Sequence, residues 1–355
     1  MTQSPETVYV LVHREKRSIV TIHLHSVPTL RVGAPREIPR IFQGIPAVEV
    51  TRAHVWAAWY GGGSDEGVGN YVMLARTPVA EAGGSWPAPY AVVEPDEYSR
   101  LFDPELWTDP LGRLWFFVTQ SSNPESNWDG RGGVWAIRCD DPVGAPETWG
   151  APRRLCDGVM MNKPIVDSYG RWILPVAIWD FPSRLPEYDG RRLPYAVVST
   201  DDGETFDWAG GAQMPPRTFD EHQIIEHTDG TLSMFVRSSP FALVSESTDG
   251  GATWSPGRPS SIPCPDSRFS IIRLQSGAWA LTTHLPPAEP RSFAGPQPER
   301  SYLAIALSHD EGQTWGRPFS LRVEPRVSYP DVVEREGSLW ITYDFNRFSD
   351  RLVLL

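Results

Sequence analysis

A short unit, a glycine followed by hydrophobic residues, recurs through the chain and limits its possible folds more than any other feature. The unit begins at Gly112, Gly170, Gly230, Gly277 and Gly337, at intervals of 58, 60, 47 and 60 residues. One further interval back from Gly112 reaches an apolar run at 55–59 that has the same strand character without the glycine. Regular recurrence of one supersecondary unit indicates a repeat architecture, and these positions define six units.

A second motif lies between the glycine turns. It has the form S-x-D-x-G-x-T followed by an aromatic residue, and it occurs at residues 199–206, 247–254 and 308–315. Degenerate copies end at Trp86 and Trp149. In such a segment the Asp caps its own turn, the Gly supplies a positive φ and the aromatic side chain fills the space between strands. The motif therefore predicts hairpins in phase with the glycine turns.

The composition agrees with many short strands joined by turns. The 355 residues include 30 glycines, 35 prolines and 15 tryptophans, and no stretch has the Ala/Leu/Glu/Lys-rich pattern of a long amphipathic helix. A repeat of roughly 60 residues suits one four-stranded blade. We predict an all-β, six-bladed β-propeller that forms a single domain over residues 1–355, with Val8–His25 closing the ring against the last blade.

Charge and cysteine content exclude several classes of partner. The formal net charge is -12, with no run of Lys or Arg, so nucleic acid and anionic membranes are poor partners. No apolar run approaches the roughly 20 residues of a membrane span, and the N-terminus lacks the form of a signal peptide, which predicts a cytoplasmic protein. The three cysteines are far apart and predict buried thiols. We expect neither a metal nor a cofactor.

The inner strands of a propeller converge on its axis, so candidate site residues should recur just before each glycine turn. Those places are residues 42–46, 102–104, 162–164, 220–222, 267–269 and 328–331, and each carries a polar residue or a proline where a plain strand would have Val or Ile. A ligand bound at the axis would meet these side chains. Beyond the residues discussed next, this pattern provides five candidate substrate-binding residues: Gln43, Asp103, Lys163, His222 and Arg268.

The Asp-turn motifs resemble the Asp boxes of the sialidase (neuraminidase) family, and four shorter patches resemble its active site. The segment 221–237 is similar to the sialidase segment in which a Glu, here Glu221, partners the nucleophile and an Arg, here Arg237, grips the substrate carboxylate. Arg300 resembles the family's third carboxylate-binding Arg. Tyr329, in Ser-Tyr-Pro-Asp, resembles the nucleophilic Tyr, and Asp65, on a glycine-rich loop, resembles the acid/base Asp. The resemblance implies a retaining exo-glycoside hydrolase acting on a glycan with an acidic terminal sugar.

The chemistry of these residue types agrees with glycoside hydrolysis by a tyrosine nucleophile. A Tyr hydroxyl has a pKa of about 10 and attacks poorly unless a neighbouring Glu takes its proton. A neutral nucleophile suits a substrate whose carboxylate would repel an attacking Asp or Glu. Asp65 would protonate the leaving oxygen and then activate water, while Arg237 and Arg300 would bind a carboxylate bidentately.

One departure from the family concerns its first arginine. Sialidases begin with Arg-Ile-Pro, whereas this chain has Gly44-Ile-Pro. Losing one bidentate Arg contact costs roughly 10- to 150-fold in binding. This predicts weak or absent cleavage of ordinary sialosides and better turnover of another glycoside, one with a differently placed acid group. Four other basic residues could supply the missing charge: Arg40, Arg52, Lys163 and Arg268.

Two other functions fit the same propeller. In a uronate-directed polysaccharide lyase, Tyr329 or His222 would abstract the proton next to a carboxylate held by Arg and Lys, and no water would be consumed. A non-catalytic sugar-binding propeller would keep the aromatic residues and arginines but would need neither Asp65 nor a Glu221–Tyr329 partnership.

Overall fold

The computed structural model of the chain describes residues 27–32, 40–84, 86–121, 130–179, 186–285 and 300–347, together with the backbone of strands at 7–11, 19–23 and 352–354. Almost all regular structure in these segments is β-strand, arranged in antiparallel sheets around an axis. Two single-turn 3₁₀ helices, Val79–Glu81 and Pro186–Tyr188, lie in connections. Among the described residues, no helix is long and apolar enough to cross a membrane.

The first two strands, β1 (Thr7–Leu11) and β2 (Ile19–His23), pair with each other. The first sheet of the ring has the order β4-β5-β6-β7-β3 from the axis outwards. Its strands are β3 (Thr29–Val32), β4 (Gln43–Val50), β5 (His54–Gly61), β6 (Tyr71–Pro78) and β7 (Ala91–Glu94). The pairings of the described residues join β1 and β2 only to one another, whereas the sequence predicted that Val8–His25 would close the ring.

The next four sheets each contain four strands in sequence order. The second sheet has β8 (Arg100–Thr108), β9 (Leu114–Ser121), β10 (Gly133–Cys139) and β11 (Arg153–Cys156). The third has β12 (Ile165–Val166), β13 (Trp172–Ala177), β14 (Pro194–Ser199) and β15 (Asp207–Gly211). The fourth has β16 (His222–Glu226), β17 (Leu232–Val236), β18 (Phe241–Ser247) and β19 (Arg258–Pro263). The fifth has β20 (Ser270–Arg273), β21 (Trp279–His284), β22 (Leu303–Ser308) and β23 (Phe319–Arg322).

The last sheet has three strands, β24 (Val327–Arg335), β25 (Ser338–Phe345) and β26 (Leu352–Leu354). Strand β24 contacts β4 of the first sheet, which closes the ring. The β-propeller is therefore present, but in the described residues it has five blades of at least four strands and not the six predicted. The glycine repeat marks only the inner hairpin of each sheet and does not fix the number of outer strands.

The repeated glycines occupy equivalent places between the first and second strands of five sheets. Their φ angles lie between 75° and 88°, a left-handed conformation that costs glycine little. The first sheet turns at the same point, at 51–54, without a glycine, and there Thr51 N donates to His54 O. A turn at the same point in every sheet explains the regular spacing in the sequence.

The three S-x-D-x-G-x-T segments share one hydrogen-bond pattern between the third and fourth strands of their sheets. In the copy around Asp249, the carboxylate accepts from Thr253 N at 2.9 Å, from Thr253 Oγ1 at 2.5 Å and from Ser247 Oγ at 2.8 Å. These bonds, first of all the one from the Thr hydroxyl, lower the pKa of Asp249 to about 2. The corresponding bonds recur at Asp201 and Asp310.

Aromatic side chains form much of the core between neighbouring sheets. Trp115 of the second sheet and Trp172 of the third are fully buried, and their rings meet edge to face at 5.5 Å. Gly203 lies against both rings, and a Cβ at this position would overlap them. The three cysteines, Cys139, Cys156 and Cys264, are buried free thiols.

A buried histidine gives the fold a specific acid sensitivity. His284 ends β21, where its Nε2 donates to Val327 O at 2.9 Å, and its Nδ1 has no hydrogen-bond partner among the described residues. Burial, together with the positive charge of Arg300, lowers its pKa to about 4, against the opposing effect of Asp344. The folded protein therefore holds His284 neutral at pH values where the unfolded chain binds a proton.

We expect the free energy of unfolding to fall as the pH drops from about 6.5 towards 4, with His284 contributing about 1 kcal/mol per pH unit. His284→Gln keeps a donor for Val327 O and removes this titration, so its unfolding free energy should depend less steeply on pH. Urea denaturation at a series of pH values measures the slopes, with the exposed His309→Gln as the control. Equal slopes for the wild type and His284→Gln would contradict this assignment.

Candidate active site

Three inner strands share a backbone irregularity at the axis. Ile45, Asp103 and Tyr329 have φ angles of 53°, 48° and 55°, and each lies at a register shift in its strand: β4, β8 and β24. Each of the three is followed by a proline. A positive φ is uncommon for residues other than glycine, and a following proline disfavours helical conformations further. Backbone strain of this kind clusters at functional sites.

All three strained residues line one cavity of about 280 Å³ at the axis. Inner strands and adjoining loops of all the sheets except the two-stranded one contribute to its wall. Three carboxyl groups and three guanidinium groups face each other across it, beside a set of aromatic rings. The charged residues are Glu66, Asp103, Glu221, Arg237, Arg300 and Arg347, and the aromatic residues are Tyr60, Trp179, Phe219 and Tyr329.

Tyr329, Glu221 and Arg237 form a closed hydrogen-bonded group in this cavity. Tyr329 Oη donates to Glu221 Oε1 at 3.0 Å, and Arg237 Nη1 donates to Tyr329 Oη at 2.9 Å and to Glu221 Oε1 at 2.5 Å. Glu221 and Arg237 are opposite one another at the open end of the β16–β17 hairpin, because Arg237 N donates to Glu221 O. The fold thus brings a hydroxyl, a proton acceptor and a cation within reach of one another.

The environment of Tyr329 keeps its hydroxyl protonated near neutral pH. Burial raises the pKa of Tyr329, while the guanidinium groups of Arg237, Arg300 and Arg347 oppose this effect and the Glu221 carboxylate adds to it. Loss of the proton therefore needs an acceptor in contact with the hydroxyl. Glu221 is that acceptor, and its second oxygen, Oε2, is buried without a hydrogen-bond partner among the described residues.

Asp266 holds two of the arginines side by side. Its carboxylate accepts from Arg237 Nε at 2.9 Å, and its backbone oxygen accepts from Arg300 Nη2 at 2.8 Å. The guanidinium carbon of Arg300 lies 5.1 Å from the centre of the Tyr329 ring. Two cations are thereby fixed beside the hydroxyl of Tyr329.

Arg347, which the sequence analysis missed, is the third cation of the cavity. Its guanidinium carbon lies 4.2 Å from the centre of the Tyr329 ring. It follows β25, the second strand of its sheet, as Arg237 follows β17, and this shared position is the feature that could have identified it. Of the basic residues considered for the charge missing at Gly44, Arg40 instead donates to Met73 Sδ, and Arg52 is exposed.

The acidic loop between β5 and β6 presents Glu66, and not Asp65, to the cavity. Asp65 is exposed, and its Oδ1 accepts from Glu66 N at 2.7 Å. Glu66 Oε1 pairs with Arg347 Nη1 at 2.9 Å. Asn70 fixes the loop by donating from Nδ2 to Gly62 O and to Asp65 O. The carboxyl group that lines the cavity is therefore that of Glu66, one residue beyond the predicted Asp65.

Lys163 and Arg268 lie near the axis but outside this cavity, which corrects their predicted substrate contact. Lys163 Nζ contacts Glu105 Oε1 at 2.9 Å, Asp331 Oδ2 at 3.0 Å and Val48 O at 2.7 Å. Burial and the nearby Asp331 raise the pKa of Glu105 to about 8, against the effect of Lys163. Arg268 is fully buried and donates from Nη2 to three backbone oxygens, those of Pro46, Tyr329 and Pro330. Both side chains hold the inner strands together.

Of the remaining candidates, Asp103 lines the cavity, whereas His222 and Gln43 do not. The two ring nitrogens of His222 face the backbone oxygens of Asp220 and Tyr195, and burial lowers its pKa to about 4. Gln43 Oε1 accepts from Trp59 Nε1 at 3.0 Å. Burial, with the charge of Glu221, raises the pKa of Asp103 well above its usual value. Its Oδ2 has no hydrogen-bond partner in the described part of the chain.

The described residues contain no group of three or more His, Cys, Asp or Glu side chains arranged to hold a metal ion. The cavity instead combines arginines, carboxyl groups, a tyrosine and aromatic rings. Such a set can bind an anionic group, move a proton from the tyrosine and stack against an apolar face of a ligand.

The propeller has the fold of solved sialidase structures. Residues 53–341 match the family of BNR repeat-like domains, and the chain belongs to this family. Over 147 residues the chain is 31% identical to a sialidase of Micromonospora viridifaciens, a match that covers 38% of this chain and 22% of the relative. The chain thus spans about a fifth of that relative's length.

Solved structures share the fold at low sequence identity. The Hadza microbial sialidase Hz136 is similar with a TM-score of 0.64 and 17% identity, over 85% of this chain and 63% of that one. The Trypanosoma rangeli sialidase is similar with a TM-score of 0.62 and 16% identity, over all of this chain and 59% of that one. At these identities the likeness concerns the fold alone.

Proposed function

We propose that the chain is a retaining exo-glycoside hydrolase that cleaves an acidic sugar from the non-reducing end of a glycan in the axial cavity. One observation carries the proposal: the 3.0 Å hydrogen bond from Tyr329 Oη to Glu221 Oε1, with Arg237 bonded to both groups. A hydroxyl joined to a carboxylate in this way is the arrangement of an activated nucleophile.

In the first step, Tyr329 Oη attacks the anomeric carbon while its proton passes to Glu221. The glycosidic carbon–oxygen bond breaks, and the leaving oxygen takes a proton from a general acid. In the second step, water attacks the same carbon and gives its proton to the carboxylate of that acid. The tyrosine oxygen leaves and recovers its proton from Glu221. Two displacements at one carbon retain its configuration.

We assign the acid/base role to Glu66. Its carboxyl group lines the cavity, whereas the side chain of Asp65, which the family resemblance suggested, is exposed. The loop that Asn70 holds leaves the carboxyl group of Glu66 at the cavity and partly exposed. A partly exposed carboxyl group can exchange its proton with water between the two steps.

The remaining walls suit a carboxylated sugar. Arg237 and Arg300, both held by Asp266, can bind a carboxylate next to the attacked carbon. Asp103, whose Oδ2 has no hydrogen-bond partner among the described residues, can bond to a sugar hydroxyl. Trp179 and Phe219, whose rings meet at 4.8 Å, provide an apolar surface for one face of the ring.

The comparisons favour the same reaction. The relative from Micromonospora viridifaciens is a sialidase, and the Trypanosoma rangeli sialidase has been solved with sialic acid and, as a covalent intermediate, with 2,3-difluorosialic acid. A carbohydrate is accordingly the proposed substrate of this chain.

A panel of 4-methylumbelliferyl glycosides, including sialosides and uronides, tests the proposal. We expect release of the fluorophore, a first-formed sugar with the configuration of the substrate in proton NMR, and unchanged activity in EDTA. A lyase would instead produce an unsaturated sugar that absorbs near 230 nm, and a binding protein would release nothing. Either outcome, or a first product of inverted configuration, would contradict the proposal.

A further inference from the structure

Gly44 leaves a space that another residue fills. Its φ lies outside the left-handed region, so the backbone of β4 does not require a glycine at this position. A Cβ on Gly44 would lie 3.1 Å from both Cγ and Cδ of Arg347, and 3.1 Å from Asp344 Oδ2. These distances are tighter than ordinary van der Waals contacts. The glycine therefore makes room for the stem of Arg347.

Several contacts hold Arg347 along this path. Gln43 N donates to Arg347 O at 2.9 Å, which fixes its backbone beside Gly44. Asp344 Oδ2 accepts from Arg347 Nε at 2.8 Å and from Ile45 N at 3.3 Å, and Ser328 Oγ donates to Asp344 Oδ1 at 2.6 Å. These contacts place the guanidinium group of Arg347 in the cavity. It comes from the last sheet and passes Gly44 of β4, where a side chain would occupy the same space.

One donor of this guanidinium group has no acceptor. Arg347 Nη1 pairs with Glu66, but Nη2 is buried and has no hydrogen-bond partner among the described residues. A buried donor without a partner is costly unless a ligand supplies the acceptor. Arg347 and Arg300 both lie over the Tyr329 ring and both line the cavity, so an anion bound beside this ring has two guanidinium groups nearby.

We infer that Arg347 binds the anionic group of the ligand and replaces, from a different strand, the arginine that is absent at Gly44. The inference rests on the proposed function, because it concerns the same cavity. With Arg347, Arg237 and Arg300, the cavity offers three cations to a carboxylate, not the two expected from the sequence.

Binding, measured without turnover, tests this inference. The probe is DANA, an inhibitor bound by the Trypanosoma rangeli sialidase, compared with its uncharged methyl ester by isothermal titration calorimetry in a Tyr329→Phe background. Arg347→Met keeps the stem and removes the charge, and we expect it to weaken DANA binding roughly 10- to 150-fold and to leave binding of the ester unchanged. The exposed Arg258→Met is the control and should bind both probes like the parent.

A second variant restores the cation from the other strand. Gly44→Arg combined with Arg347→Ala should recover at least about 10-fold of the lost DANA affinity, whereas Gly44→Arg alone should disturb the site because both side chains need one space. Three results would each overturn the inference. The double variant recovers no DANA affinity, Arg347→Met weakens DANA and its methyl ester equally, or the Tyr329→Phe parent binds DANA no better than the ester. If DANA binding depends on Arg347 but no glycoside is hydrolysed, only the proposed function is overturned.

Discussion

Replacing Tyr329 with phenylalanine is expected to lower kcat/KM on the best glycoside of the panel by roughly 10³-fold or more, because a reaction that loses its nucleophile keeps only what binding and polar groups provide. The ring still fills its place beside Arg300 and Arg347, so the thermal unfolding temperature and ligand affinity should stay close to those of the wild type. Initial rates over a range of substrate concentrations, with unfolding followed by circular dichroism, measure both quantities.

Two further variants separate a catalytic role of Tyr329 from a structural one. Tyr343→Phe removes a hydroxyl from a buried tyrosine of the same sheet that does not line the cavity, and its activity should be unchanged. Glu221→Gln removes the proton acceptor and should reduce kcat far more than it alters KM. If Tyr329→Phe kept near-wild-type activity, the nucleophile would be another group.

Replacing Glu66 with glutamine is expected to lower kcat/KM by roughly 10²- to 10⁴-fold on glycosides with an alcohol leaving group, because the leaving oxygen then departs without a proton. Aryl glycosides whose phenol leaves easily need little protonation, so their first step should be far less affected. The dependence of the rate on the leaving group, measured over a series of substituted phenols, therefore becomes much steeper in Glu66→Gln.

Asp65→Asn provides the matched comparison, because Asp65 is the adjacent carboxyl group of the same loop and is exposed. We expect its rates and its leaving-group dependence to match those of the wild type. The opposite pattern, with a steep dependence in Asp65→Asn and none in Glu66→Gln, would return the acid/base role to the residue that the family resemblance suggested.

The propeller could be predicted from the sequence because its inner hairpins repeat a turn that needs glycine. Gly112, Gly170 and their counterparts stand at the same backbone conformation in successive sheets, so their spacing reports the sheets directly. Outer strands have no comparable requirement. The last sheet has three strands in the described residues, and nothing in the spacing distinguishes it from the five larger ones.

The site was predictable where position in the repeat determined which side chains meet at the axis. Tyr329, Glu221, Arg237, Arg300 and Asp103 all line the cavity for this reason. The same reasoning failed for Lys163 and Arg268, because a place near the axis does not distinguish the open cavity from the buried cluster of charges that joins the strands.

The two residues that the sequence did not identify depend on tertiary contacts. Which carboxyl group of the loop enters the cavity is decided by the hydrogen bonds of Asn70 and not by the neighbouring sequence. The route of Arg347 depends on space at Gly44, a residue 303 positions earlier in the chain. The repeat position that Arg347 shares with Arg237 marks it as a candidate, but it reveals neither the space at Gly44 nor the hydrogen bonds of Asn70.

The central claim is that Tyr329 forms a covalent bond to the sugar. A 2,3-difluoro analogue of the best substrate, of the kind seen as a covalent intermediate in the Trypanosoma rangeli sialidase, should inactivate the protein and add the mass of one sugar. Peptide mapping by mass spectrometry should place the added mass on Tyr329, and Tyr329→Phe should remain unlabelled. A sugar attached to any other residue, or equal labelling of the wild type and Tyr329→Phe, would contradict the account.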